Sequence, residues 1–206
     1  MKSKVYFADL RAKEERNVPD RIASLLERAG LPEVIGRGGL VAVKMHFGEA
    51  GNTAFIRPVL VRRVISEIKR LGGSPFLTDT GTLYRGSREN AVKHIETATA
   101  NGFAYSVVGA PLIIADGIRG IDSKRVEIDG VHHKRVPVAR AIAEADALVV
   151  LSHFKCHELT GFGGALKNMG MGCTSREGKL DQHSTVSPHI DRDLCTGCES
   201  CIRKCG

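Results

Sequence analysis

A chain of 206 residues holds one substantial domain with room for a small appendage, and its 42% hydrophobic and 26% charged content is ordinary for a globular protein. No apolar run approaches the roughly 18 residues that span a bilayer, so no membrane segment is expected. The formal charge of +7 favours an acidic partner or an anionic ligand, while 5% aromatics, the absence of Trp and the lack of a recognition motif argue against nucleic acid.

Strand and helix signals alternate from the start. Met1-Lys2-Ser3-Lys4 leads straight into a short strand candidate, Val5–Ala8, with no signal-peptide run, which points to a cytoplasmic protein. Apolar residues at helical spacing (Ile22, Leu25, Leu26) predict a helix from Pro19 to Ala29, stopped by Gly30. Leu40–Phe47 reads as a buried strand. Arg57–Leu71 reads as a strong helix, with Pro58 at its start and Gly72-Gly73 as its stop. Pro75–Asp79 is the next strand, Glu89–Ala100 the next helix, and Ser106–Ala115 contains a further strand. The middle breaks the alternation: Arg125–Ile128 and Val131–Val136 flank Asp129-Gly130, the signature of a hairpin with a tight turn. Val138–Glu144 is predicted helical and Ala147–Ser152 is the most apolar strand. A glycine-rich loop and short helix follow, then a linker from about Leu180 to Asp193. These elements predict an α/β fold, a mostly parallel sheet flanked by helices with an inserted β-hairpin, over residues 1–185. Residues 186–206 would form a second, ferredoxin-like segment.

Three strands finish in polar clusters. The first gives Lys44, His46 and Glu49; the second Asp79 and Thr80, then Tyr84 and Arg85; the third His153, Lys155, Cys156 and His157. In a parallel sheet, ligands bind beyond the carboxyl ends of the strands, so these clusters would share one rim. Such a mixture of imidazoles, carboxylates and ammonium groups could bind a divalent metal or perform acid–base work. The candidate catalytic residues are His46, Glu49, Asp79, His153, Lys155 and His157. Taken singly, each also reads as an ordinary core, capping or loop residue. Gly161, Gly163, Gly164, Lys167 and Asn168 form a second candidate site, where backbone N–H groups at a helix start could meet an anion. The spacing is neither a P-loop nor a dinucleotide fingerprint.

The C-terminus carries Cys195, Cys198, Cys201 and Cys205, spaced C-x2-C-x2-C-x3-C, the pattern of a bacterial-ferredoxin cluster loop. In that pattern the fourth cysteine serves a second cluster, and the matching second run is not in the sequence. A 4Fe–4S cluster here would take its fourth ligand from Cys205, Cys173, water or a partner's thiolate, which leaves oligomerisation open. Zinc is the rival, although structural zinc sites usually split their ligands into two knuckles.

The segments Lys44–Glu49, Thr78–Thr80, Ser152–Lys155 and Gly161–Gly170, followed by the cysteine run, resemble the domain of unknown function 362 family of iron–sulfur centre proteins. The resemblance implies a ferredoxin-type module attached to a catalytic-looking domain. The sequence departs from the family in lacking the second cysteine run and in carrying Cys156 where a glycine is expected. The combined expectation is an iron–sulfur protein and possible oxidoreductase. It would transfer electrons, with a redox partner protein, to or from a small anionic substrate at the rim. The alternative is a non-redox metalloenzyme, a lyase, isomerase or hydrolase, with the rim holding a divalent metal. A carrier or scaffold without its own chemistry is the third reading.

Overall fold

The computed structural model describes residues 3–13, 17–158, 160–184 and 189–204. Helix α1 (Val18–Arg28) begins where the Asn17 side chain accepts a hydrogen bond from the Asp20 N–H at 3.0 Å, with Pro19 in its first turn. A short turn of helix, α2 (Leu31–Val34), leads into β1 (Leu40–Lys44). Helix α3 (Pro58–Arg70) buries Val61, Val64, Ile65 and Ile68, the spacing of a single helix face. After it come β2 (Ser74–Asp79), α4 (Ala91–Ala100), α5 (Tyr105–Val108) and β3 (Leu112–Ile114). The chain then forms β4 (Ser123–Glu127), β5 (Arg135–Ala139), α6 (Arg140–Ala143) and β6 (Ala147–Val150). A small hairpin, β7 (Lys155–His157) and β8 (Gly161–Gly163), precedes α7 (Ala165–Met169), a 3-10 turn at Met171–Cys173, α8 (Arg176–His183) and α9 (Ser200–Lys204).

Four strands make one parallel sheet in the order β3-β2-β1-β6. In the two central strands nearly every residue is buried, as expected when both faces are covered. Val41, Val43, Leu77, Ile65, Ile68 and Phe103 form the heart of the core. Each such side chain contributes about 1.5–3 kcal/mol by leaving water. From β1 the chain steps outward to β2 and β3, and later returns to pair β6 with the opposite side of β1. This reversal of direction opens a crevice beyond the carboxyl ends of β1 and β6. A smaller core of Ala115, Ala139, Ile142 and Cys173 ties β5, α6 and the 3-10 turn to that end of the sheet.

The α/β architecture, the parallel sheet and the inserted antiparallel hairpin match the sequence reading. Several local expectations do not. Val5–Ala8 is not a strand: Val5 and Phe7 are 89% and 85% exposed. The hairpin β4–β5 pairs Glu127 with Arg135, so the chain turns through a longer loop over 128–134 rather than at Asp129-Gly130 alone. Strand β5 runs on through Val138 and Ala139, and helix begins only at Arg140. The supposed linker begins inside α8, which extends to His183. The glycine run starts as a strand, β8 paired with β7, and its helix α7 has only five residues. No helix among the described residues is long and apolar enough to cross a membrane.

Candidate functional site

Because β2, β1 and β6 lie side by side and parallel, their polar ends converge. They frame a cavity of about 380 Å³. Strand β1 delivers Lys44 and His46, and β2 delivers Asp79 and Thr80. The segment after β6 supplies His153, Lys155 and His157, and the following turn adds Gly163, Gly164, Lys167 and Asn168. Nine of the eleven rim and glycine-site candidates therefore line one space.

Asp79 is the electrostatic centre. It is 4% exposed, and Lys44, 1% exposed, reaches its Oδ1 at 2.8 Å. Lys44 also donates to Asn168 Oδ1 at 2.6 Å, and the Asn168 amide donates to Leu151 O and Ser152 Oγ, so the pair is stitched to the end of β6. Arg88 Nη1 and His94 Nε2 stand 3.5 and 3.6 Å from Asp79 Oδ2, ion-pair rather than hydrogen-bond distances. Burial pushes the Asp79 carboxyl up, but Lys44, His94 and Arg88 outweigh it and hold the group well below the usual carboxylate range. Gly172 packs so closely that a Cβ there would meet Lys44 Nζ at 3.0 Å, so glycine leaves the ammonium its place.

Glu49 and Gly161 are the two candidates that do not line the cavity. Glu49 Oε1 accepts from Arg88 Nε at 2.8 Å and from the Tyr84 hydroxyl at 2.9 Å, while its Oε2 accepts from Ser87 Oγ at 2.9 Å. Partial burial raises this carboxyl, but Arg88 and the hydroxyl donors bring it down to about 2. So stable an anion is a poor base, and Glu49 serves to hold Arg88 in position.

His46 is the opposite case. Burial and the Arg88 charge lower its pKa from 6.5 to about 4, so the ring is neutral at pH 7. The Gly48 N–H donates to Nδ1 at 2.8 Å, which assigns the remaining ring proton to Nε2. Gly48 makes this turn at φ +89, and a Cβ there would lie 2.6 Å from the Phe55 ring. His46 is thus a neutral N–H donor on the cavity wall.

Three lysines complete the lining. Lys155 is exposed at the mouth, and Lys167 contacts His157 Nε2. Burial, then the charge of Lys155, lowers the Lys167 ammonium. Lys179 comes from α8. Its nitrogen donates to Thr80 Oγ1 at 2.7 Å and to the Thr174 carbonyl, and burial lowers its pKa to about 8. The cavity lining therefore carries Lys44, Arg88, Lys155, Lys167 and Lys179 against a single carboxylate, Asp79. That imbalance suits an anionic guest.

Sequence reasoning missed Arg88, His94 and Lys179. Arg88 and His94 sit in segments that read as a polar turn and an amphipathic helix. Lys179 lies on a short polar helix where a lysine normally faces water. The one available signal was Thr78-Asp79-Thr80: a buried carboxylate requires cationic partners.

The cysteine segment is different in kind. Cys195, Cys198 and Cys201 are exposed and free, and Cys205 lies outside the described residues. Gly197 and Glu199, both at positive φ, turn the chain between the sulfurs. Hydrogen bonds from Ser200 and Thr196 bring the Cys198 thiol down to about 7, which favours the thiolate that a metal needs. All-sulfur donors at this spacing fit an iron–sulfur cluster chemically. Among the described residues no three His, Cys, Asp or Glu side chains are grouped to hold a metal ion. Cys173, considered above as a further ligand, is buried in the smaller core, where burial pushes its thiol up.

The family described as Domain of unknown function (DUF362) matches residues 41–197, which takes in all but the first residue of the sheet, the cavity and Cys195, the first of the C-terminal cysteines. Neither a curated protein nor a solved structure matches the chain.

Proposed function

This chain belongs to the DUF362 family, and we propose that it is an iron–sulfur protein that couples electron transfer to a small anionic ligand held in the strand-end cavity. The observation that carries the ligand half of this reading is the charge of the lining, five cationic side chains to one carboxylate. Lys44 and Arg88 are occupied with Asp79 and Glu49 and act as a fixed positive floor. Lys155 and Lys167, at the mouth, are the anion clamps. His46 offers its Nε2–H to a ligand oxygen as a hydrogen-bond donor without adding charge.

The redox half rests on the cysteine spacing, C-x2-C-x2-C-x3-C. When bound by Cys195, Cys198 and Cys201, a cluster supplies single electrons to exchange with a redox partner protein. The divalent-metal alternative has no specific observation behind it. Two measurements on anaerobically reconstituted protein test the reading. Visible absorbance that dithionite bleaches is expected, and a colourless protein overturns the redox half. Calorimetry with inorganic phosphate and with lactate is expected to show binding that a Lys155→Met, Lys167→Met double variant weakens about tenfold or more. Unchanged affinity in that variant, or no binding in the parent, overturns the ligand half.

A further inference from the structure

Lys179 stands apart from the other lysines of the cavity. It is 8% exposed, while Lys155 is exposed and Lys44 is committed to Asp79 and Asn168. Its two hydrogen-bond partners are both acceptors. One is the Thr174 carbonyl, which can only accept. The other is Thr80 Oγ1, whose own hydrogen is donated to Gly172 O at 2.9 Å, so only its lone pairs face the lysine. Two N–H bonds of the nitrogen are therefore fixed. Counting Cε, three of its four tetrahedral positions are taken. The fourth holds a third N–H in the ammonium form and a lone pair in the amine form.

We propose that Lys179 is an imine-forming amine in the cavity, taking a small carbonyl compound that carries a carboxylate or phosphate. The proposal rests on the anion-site reading above and adds the reacting group. Around the nitrogen, burial and the charges of Lys44 and Arg88 favour the amine, while Asp116 and Asp79 oppose them. The balance, about 8, leaves roughly one molecule in ten with a free amine at pH 7. The Asp116 carboxyl is itself raised by burial, against the bonds it accepts from the Gly81 N–H and the charge of Lys179, and the buried Cys173 thiol is pushed up.

The step balances without a redox agent. The lone pair attacks the carbonyl carbon, and one amine hydrogen passes to the former carbonyl oxygen. That hydroxyl then takes one proton from solvent and leaves as water, forming the C=N bond of an iminium that keeps one N–H. The remaining N–H has an acceptor ready in Thr80 or Thr174. The substrate's own anionic group offsets the new positive charge, with Lys155 and Lys167 at its other end.

The test is reductive trapping on the full chain. Protein is incubated with pyruvate, glyoxylate or glyceraldehyde 3-phosphate plus cyanoborohydride, and labelled peptides are mapped by mass spectrometry. At pH 8, at least one probe is expected to label Lys179 about tenfold above the other lysines, because far more of its amine is unprotonated. Acetone, without an anionic group, is expected not to label it. Lys179→Met is expected to lose the adduct, and Lys155→Met is expected to slow it while keeping the site of labelling. Calorimetry with lactate and inorganic phosphate, which cannot form an imine, reads the anion site separately. Anion binding with no preferred label at Lys179 from any of the three probes overturns the imine and leaves the anion site standing. Absence of anion binding overturns both. Labelling spread equally over Lys155, Lys167 and Lys179 also overturns the imine.

Discussion

The strand-end cavity and the cysteine segment solve the problem of positioning reactive groups in opposite ways. In the cavity the buried charges are held by partners far away in sequence: Lys44 by Asp79 and Asn168, Arg88 by Glu49, Lys179 by Thr80. In the cysteine segment the described bonds are local, such as Arg203 to the Cys198 carbonyl and Ser200, and Cys198 Sγ near Ser200 Oγ at 3.4 Å. The cavity is organised before any ligand arrives, at the cost of burying charge. The cysteines stay in water and would be organised by what they bind. Removing a group should therefore cost folding stability in the first region and ligand capacity alone in the second.

The largest effect is expected from Lys44→Met. It leaves the Asp79 carboxylate buried without its nearest counter-charge, and loss of one partner of a buried pair costs about 3–5 kcal/mol. Urea unfolding measures it. A loss under about 1 kcal/mol, the range of exposed pairs, would erase the contrast between the two regions.

Next in size is an acid-side slope. His46 falls from 6.5 to about 4 on folding, so between those values the unfolded chain binds more protons. Its contribution is fully present above pH 6.5 and is lost as the pH falls through about 4, at up to about 1.4 kcal/mol per unit. Glu49, brought from 4.5 to about 2, continues the loss over the lower window with the same sign. His46→Gln is expected to flatten the upper part of the stability–pH curve and leave the lower part unchanged. An unaltered curve between pH 6.5 and 4 would show that the ring is not held neutral.

The smallest effect on folding belongs to the tail. A Cys195→Ser, Cys198→Ser, Cys201→Ser triple variant is expected to shift the unfolding midpoint of the metal-free protein by no more than about 0.5 kcal/mol, as exposed substitutions do. After reconstitution it should lack the visible absorbance of the parent. A large loss of stability without metal would mean that the tail packs as firmly as the cavity.

Much of the fold was legible because periodicity reports which face of an element is buried. Val61, Val64, Ile65 and Ile68 gave α3 away, and the apolar runs ending at Lys44 and Asp79 marked the central strands. Short or glycine-rich stretches carry no such signal, so β7, β8 and the end of α8 from Leu180 read as loop and linker. For the site, polar residues directly after apolar strands identified His46, Asp79, His153 and Lys155. Lys179 could not be found that way. Only the docking of α8, through the Ser175 N–H to the Pro137 carbonyl and the Arg176 N–H to the Gly120 carbonyl, turns it inward.

Local pattern alone thus determined the strands, the main helices and the sulfur spacing, since each depends on residues within a few positions of one another. The order of the strands, and with it the gathering of three polar ends into one positively lined cavity, was decided only in three dimensions. Burial, charge pairing and hydrogen bonding act between residues that the linear chain keeps as much as 124 positions apart, as in the Lys44–Asn168 hydrogen bond, and no short-range pattern encodes them.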